Sequence, residues 1–252
     1  MWLGTLLYLL VVMGMVSSSR RSEPCQDVRV VVVDSSDNYL LDENVLLSAI
    51  YEEFGSLKSQ PMSAIDLDAL ERFVRLQPAV REVEVYQGEQ GRLWVEVWQR
   101  MPILRVFTSS GESFYLDREA SVVPLSSRFA ARVLVANGRV EEHPAIGQKL
   151  ASPAQGQEPS LLWRLYELAS LVDGDPFWKA QLEQVYVDEQ GRWELVPRVG
   201  LHTVMLGQPQ ELERKLARLR LFYQEAMPKV GWNRYKEIDL TYEDQVVGRL
   251  RE

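Results

Sequence analysis

Residues 238–250 read Ile-Asp-Leu-Thr-Tyr-Glu-Asp-Gln-Val-Val-Gly-Arg-Leu, and the segment alternates with a period of two. Ile238, Leu240, Tyr242, Val246 and Leu250 fall on one side, while Asp239, Thr241, Glu243, Gln245 and Arg249 fall on the other. Alternation across Ile238 to Leu250 predicts one long, half-buried β-strand. The sequence ends two residues later, so the strand is expected to present an edge of unpaired N–H and C=O groups. The charges of Asp239, Glu243 and Arg249 suit an edge kept from indiscriminate pairing.

Outward from this segment the pattern is that of a sheet with packed helices. Pro209 to Met227 predicts a helix whose Leu212, Leu216, Leu219, Phe222 and Tyr223 face inward. EQVYVDEQGRWELVPRVGLHTVML (183–206) reads as a meander of three strands, with His202 as a strand residue. Ser160 to Val172 predicts a second helix, with Leu161, Leu165, Leu168 and Val172 on one stripe, closed by a turn at Asp173-Gly174-Asp175-Pro176. The stretch 143–159 reads as loop, and His143 as an exposed loop residue. Two strand runs separated by Ser-Ser-Gly occupy 103–125, and ARVLVANG (131–138) adds another.

The first hundred residues follow a different order. VRVVVV (28–33) is a β-branched run followed by a DSSDN turn. Asp42 is placed to cap a helix with Leu46, Leu47, Ile50, Tyr51 and Phe54 on one face and Gly55 at its end. Asp66 caps a second, with Ile65 and Leu70 positioned as a hydrophobic staple and Phe73 and Val74 continuing the stripe to Gln77-Pro78. VREVEVY (80–86) and RLWVEVW (92–98) flank the turn QGEQG as a hairpin, in which Trp94 and Trp98 are expected to fill a sheet face. Strand, helix, helix, strand, strand is a small α+β unit.

The N-terminus departs from globular composition. Trp2 to Val16 is apolar, and 18 residues from Trp2 to Ser19 carry no charge. As a helix they extend about 27 Å. That nearly spans a bilayer core if Arg20 and Arg21 reach back to the headgroups. Trp2, Leu6, Leu7, Leu9, Leu10, Val11 and Val12 are its lipid-facing candidates. The absence of Lys or Arg before the run and of an A-x-A-like exit favours a retained anchor over a cleaved signal peptide. Arg20 and Arg21 alone would put the large region in the cytoplasm.

Composition narrows the chemistry. Hydrophobic residues at 46% support a buried core, and a net charge of −8 removes the basic field that nucleic-acid binding needs. A single cysteine, Cys25, excludes an intrachain disulfide. Two histidines, no H-E-x-x-H, no P-loop, no G-x-G-x-x-G and no G-x-S-x-G leave no metal, cofactor or nucleophile signature, so neither catalysis nor a cofactor is expected.

LQPAVREVEV (76–85) leading into LWVEVWQRMPI (93–103) is similar to a POTRA domain. Together with FYLDREASVVPLSSRFAARVLVANG (114–138), ELVPRVG (194–200), Leu206-Gly207 and the ending Ile238-Asp239-Leu240 with Tyr242 and Gln245-Val246-Val247, the sequence resembles the FtsQ/DivIB family of bacterial cell-division proteins along nearly its whole length. The resemblance implies an α+β protein with an anchor over 1–21, a POTRA domain over 26–103 and a larger, mostly antiparallel β domain with packed helices over 104–252. It implies a non-enzymatic divisome scaffold, held in the inner membrane by a single pass, with most of the chain in the periplasm at the septum. There it would bind FtsB/FtsL-type bitopic partners and help to regulate septal peptidoglycan synthesis. The family's partner-receiving strand carries over to Ile238, Leu240, Tyr242, Asp244, Gln245, Val246, Val247 and Gly248. The short stretch before the span departs from the family, whose members carry a cytoplasmic tail. A POTRA-bearing adaptor for polypeptide transport or outer-membrane assembly is the competing reading; it needs repeated POTRA units or a barrel, for which 252 residues leave no room.

Overall fold

One β-branched run, two alternating runs and two capped helices build the first unit, in a computed structural model that describes residues 23–33 and 40–251. The expected anchor and the DSSDN turn lie outside those residues. Strand β1 (Asp27–Val32) turns Val28, Val30 and Val32 inward. Helix α1 (Glu43–Phe54) begins where the Asp42 carboxylate accepts from the Asn44 N–H at 2.8 Å, and ends at Gly55, whose φ of 69° is a left-handed value that a side chain resists. Helix α2 (Leu67–Arg75) is capped in the same way by Asp66, 2.9 Å from the Ala69 N–H. Ile65 and Leu70 join one cluster, as the staple requires. Strands β2 (Val80–Gln87) and β3 (Arg92–Gln99) pair antiparallel, and β1 adds parallel to β3, giving the order β1-β3-β2.

The tryptophans take the sheet face opposite the valines. Val95 and Val97 are fully buried against the helices, so the pleat sends Trp94 and Trp98 to the opposite, partly exposed face. The valines fill the core.

The second unit begins at Met101. Its strands are β4 (Pro102–Phe107), β5 (Ser113–Asp117), β6 (Val122–Val123), β7 (Leu134–Gly138), β8 (Leu182–Val187), β9 (Trp193–Pro197), β10 (Thr203–Gly207), β11 (Tyr235–Asp239) and β12 (Val247–Leu250). They form one nine-stranded sheet ordered β12-β11-β10-β9-β8-β7-β4-β5-β6. Helices α3 (Leu161–Asp173) and α4 (Pro176–Gln181) connect β7 to the parallel β8. Helices α5 (Leu212–Glu225) and α6 (Met227–Val230) connect β10 to the parallel β11. Parallel neighbours need such crossovers, because a tight turn cannot join them. Both leucine stripes enter one core: Leu165 and Leu168 from α3, with Leu216 and Leu219 from α5, cover Val185, Leu195, Val204 and Ile238.

Two short helices were not anticipated. In α4, Asp175 caps the Phe177 N–H at 3.0 Å and Pro176 supplies a preset φ at the first turn, so the expected turn carries a helix start. The long helix expected to reach Met227 stops at Glu225, and α6 restarts with Pro228 in its first turn, where the missing N–H costs no helical bond. Taken by itself, each unit is mixed α+β, with a small three-stranded sheet in one and a large sheet in the other.

Candidate docking edge

The expected single strand from Ile238 to Leu250 is two strands. β11 ends at Asp239, residues 240–246 bend, and β12 returns antiparallel along β11. The break has local and distant causes. Asp239 accepts from the Thr241 N–H at 2.9 Å and from its hydroxyl at 2.6 Å, a side-chain turn that competes with the ladder. Leu240 donates its N–H to Met205 O at 2.9 Å, holding the exit from β11 against β10. The Arg218 guanidinium, reaching from α5, then donates to the carbonyls of Leu240 (3.1 Å), Tyr242, Glu243 and Gln245 (3.5 Å). One turn earlier, Arg214 pairs with Asp244 at 3.0 Å. Four carbonyls converging on one cation cannot lie along a straight strand, where they point alternately to opposite sides.

β12 is the outermost strand of the sheet, and its register pairs Tyr235 with Leu250, Ile238 with Gly248 and Asp239 with Val247. The Arg251 N–H bonds to Arg234 O at 3.0 Å. Main-chain groups alternate along a strand, so Arg249 and Val247 direct theirs at β11, while Gly248 and Leu250 direct theirs outward. Gly248 is required by packing: a Cβ there would sit 2.4 Å from Cε1 of Tyr235, whose ring lies over it. Tyr235 in turn packs on Phe222 of α5, with centroids 5.5 Å apart. The Arg251 guanidinium donates to Leu201 O, which ties the end of β12 to the bend before β10.

That bend also holds His202, which is not a strand residue as expected but a buried one in the approach to β10. Its Nε2 lies 2.9 Å from Oη of Tyr223. Burial depresses the imidazole below its ordinary pKa, against a smaller opposing contribution from the Trp232 backbone, and burial also pushes the Tyr223 phenol upward. His143 is engaged rather than merely exposed, with Nδ1 2.9 Å from Glu112. Lys215 of α5 donates to Leu206 O at 2.9 Å and Gln208 O at 2.6 Å, and burial lowers its pKa.

The opposite end of the sheet is finished differently. Beyond β6, the Val122 N–H donates to Gln148 O, the Gly147 N–H to Val122 O and the Leu150 N–H to Ala120 O, each at 2.8 Å. The loop around Gly147 to Leu150 therefore covers that edge. Among the described residues nothing pairs with the outer side of β12.

The expected partner-binding residues separate accordingly. Ile238 and Leu240 are fully buried in the core. Ile238 sits between Val204 and Gly248 in the sheet. Tyr242 is 49% exposed in the bend, Asp244 is ion-paired, the Gln245 carbonyl is held by Arg218, and Val246 leans on the core. Only Val247 and Gly248 lie in the edge strand. Arg249 and Leu250 complete the edge strand, as the alternation to Leu250 predicts, whereas sequence reasoning missed Arg214, Arg218 and Tyr235 as its supports. The Leu216/Leu219 stripe identifies α5, yet nothing in its spacing tells which arginine turns back to the sheet.

A cleft of about 500 Å³ lies between the 143–160 loop and the start of α3. Its ionisable side chains are engaged: Glu142 accepts from the Leu162 N–H at 3.1 Å, His143 meets Glu112, and Glu158 pairs with Arg164. Among the described residues, no group of three His, Cys, Asp or Glu side chains is placed to hold a metal ion, and no helix is long and apolar enough to cross a membrane.

The architecture defines a POTRA-bearing protein: residues 23–98 match a POTRA-like domain. Residues 101–249 match the family described as FtsQ/DivIB, C-terminal related, and the chain belongs to the FtsQ/DivIB family, which places it among cell-division proteins. No curated protein matches the chain.

Proposed function

We propose that the protein is a non-enzymatic divisome scaffold that receives a strand from an FtsB/FtsL-type bitopic partner on the outer edge of β12. An incoming strand would satisfy the outward N–H and C=O groups of Gly248 and Leu250, and its alternate side chains would set specificity. The observation carrying this reading is the contrast between the two ends of one sheet: a loop seals the β6 edge, while β12 is left open. In this reading residues 1–21 anchor the chain in the inner membrane, the POTRA domain occupies 26–103 and the β domain 104–252, with the bulk periplasmic at the septum and acting on septal peptidoglycan synthesis through its partners. A periplasm-dependent reporter fused after Glu252 is expected to be active; silence would overturn the topology.

The edge is tested by Leu250→Pro in the full chain, titrated in nonionic detergent with the soluble region of an FtsB-type partner. Proline there deletes an outward donor and leaves the β11 ladder intact, whereas Val247→Pro would damage the ladder itself. Loss of one main-chain bond of about 0.5–1.5 kcal/mol predicts roughly 2- to 12-fold weaker binding through faster dissociation. Unchanged binding and septal recruitment by a folded variant would refute strand addition.

A further inference from the structure

The sequence of 238–250 alternates as if for one continuous strand, but the structure turns it into a hairpin whose second arm is the sheet edge. Something outside the segment must impose the turn, and α5 supplies it. Arg218 gathers the carbonyls of Leu240, Tyr242, Glu243 and Gln245, Arg214 holds Asp244, and the two arginines stand four residues apart on the same helix face. Neither arginine belongs to the edge. Gly207, with φ of 72°, lets the bend come close: a Cβ there would lie 2.7 Å from Cγ2 of Thr241. Arg218 thus grips the bend through its main chain, and Arg214 adds one side-chain contact at Asp244.

We propose that Arg218 is a positioning residue for partner capture, presetting β12 as an open edge without itself touching the incoming strand. This inference rests on the strand-addition reading above. When the clasp is absent, 240–246 samples conformations in which β12 is not laid along β11, and only the fraction that remains docked can accept a strand. Apparent affinity is then divided by that fraction. The signature is kinetic: losing a presetting group slows association and leaves dissociation unchanged, while losing a contact speeds dissociation.

The experiment compares the full chain in nonionic detergent as wild type, Arg218→Met, Arg218→Lys and Leu250→Pro. The soluble region of an FtsB-type partner is the probe, with association and dissociation rates measured separately and amide exchange followed at Val247, Arg249 and Arg251. Arg218→Met is expected to slow association at least about fivefold at constant dissociation, with faster exchange confined to β11 and β12. Arg218→Lys should fall between, since one ammonium reaches fewer carbonyls than the guanidinium fork. Wild-type association in a folded Arg218→Met, or a change in dissociation alone, would overturn the positioning role while leaving the edge reading intact, provided that Leu250→Pro still weakens binding. If neither Arg218→Met nor Leu250→Pro alters binding, the edge reading fails with it.

Discussion

Gly248→Ala adds one carbon at the point where β12 passes under the Tyr235 ring. In place, that Cβ would stand 2.4 Å from Cε1 of Tyr235 and 2.7 Å from Cδ1. The ring would have to retreat by roughly 1 Å to reach ordinary carbon contact. Phe222 stands behind it at 5.5 Å between centroids, so retreat means repacking α5 or lifting β12. Overpacking of this kind costs about 1–3 kcal/mol. Carried by local opening of the edge hairpin, that predicts roughly 5- to 150-fold lower exchange protection. The loss should appear at the Arg249 and Arg251 amides, which point at β11, and be absent from β8 and β9. Tyr235→Ala provides the control: with the ring gone, adding Gly248→Ala should cost little more than Tyr235→Ala alone, a coupling that a double-variant cycle isolates. Wild-type protection in Gly248→Ala, or strict additivity of the two changes, would refute the assignment of Gly248 to this contact.

Two other perturbations probe the remaining architecture. His202 is held neutral by burial, so its folded pKa lies below its unfolded value, and the unfolded chain takes up a proton first as pH falls. Stability is therefore expected to decline below about pH 6.5, by at most about 1.4 kcal/mol per pH unit from this group. Urea midpoints of wild type and His202→Gln should converge in slope only if another group is responsible. In the smaller unit, Glu84 and Glu96 face each other across β2 and β3, where like charges oppose pairing. Glu84→Gln should raise the melting free energy by about 0.2–1 kcal/mol, and a lower melting temperature would show that the carboxylate serves the fold.

What the sequence made legible was set by local chemistry. Asp42 and Asp66 each cap the helix expected of them, because an N-cap is a contact between residues two or three apart. The hairpin of β2 and β3 was equally readable from alternation around QGEQG. Failure came where distant groups decide. The alternation of 238–250 is real, but it cannot show that Arg218, some twenty residues upstream, collects four of its carbonyls. Nor does it show that Ile238, paired with Val204 of β10, and Leu240 beyond it are fully buried.

The loop that seals β6 has a consequence for what the larger unit can become. A sheet with two bare ends is a repeating link: copies can join head to tail without limit, which is how fibres start. Here one end is terminated by the segment around Gly147 to Leu150. Two such sheets meeting through β12 would use up both bare ends in a closed pair. Edge-to-edge association of this unit would therefore stop at one addition per sheet.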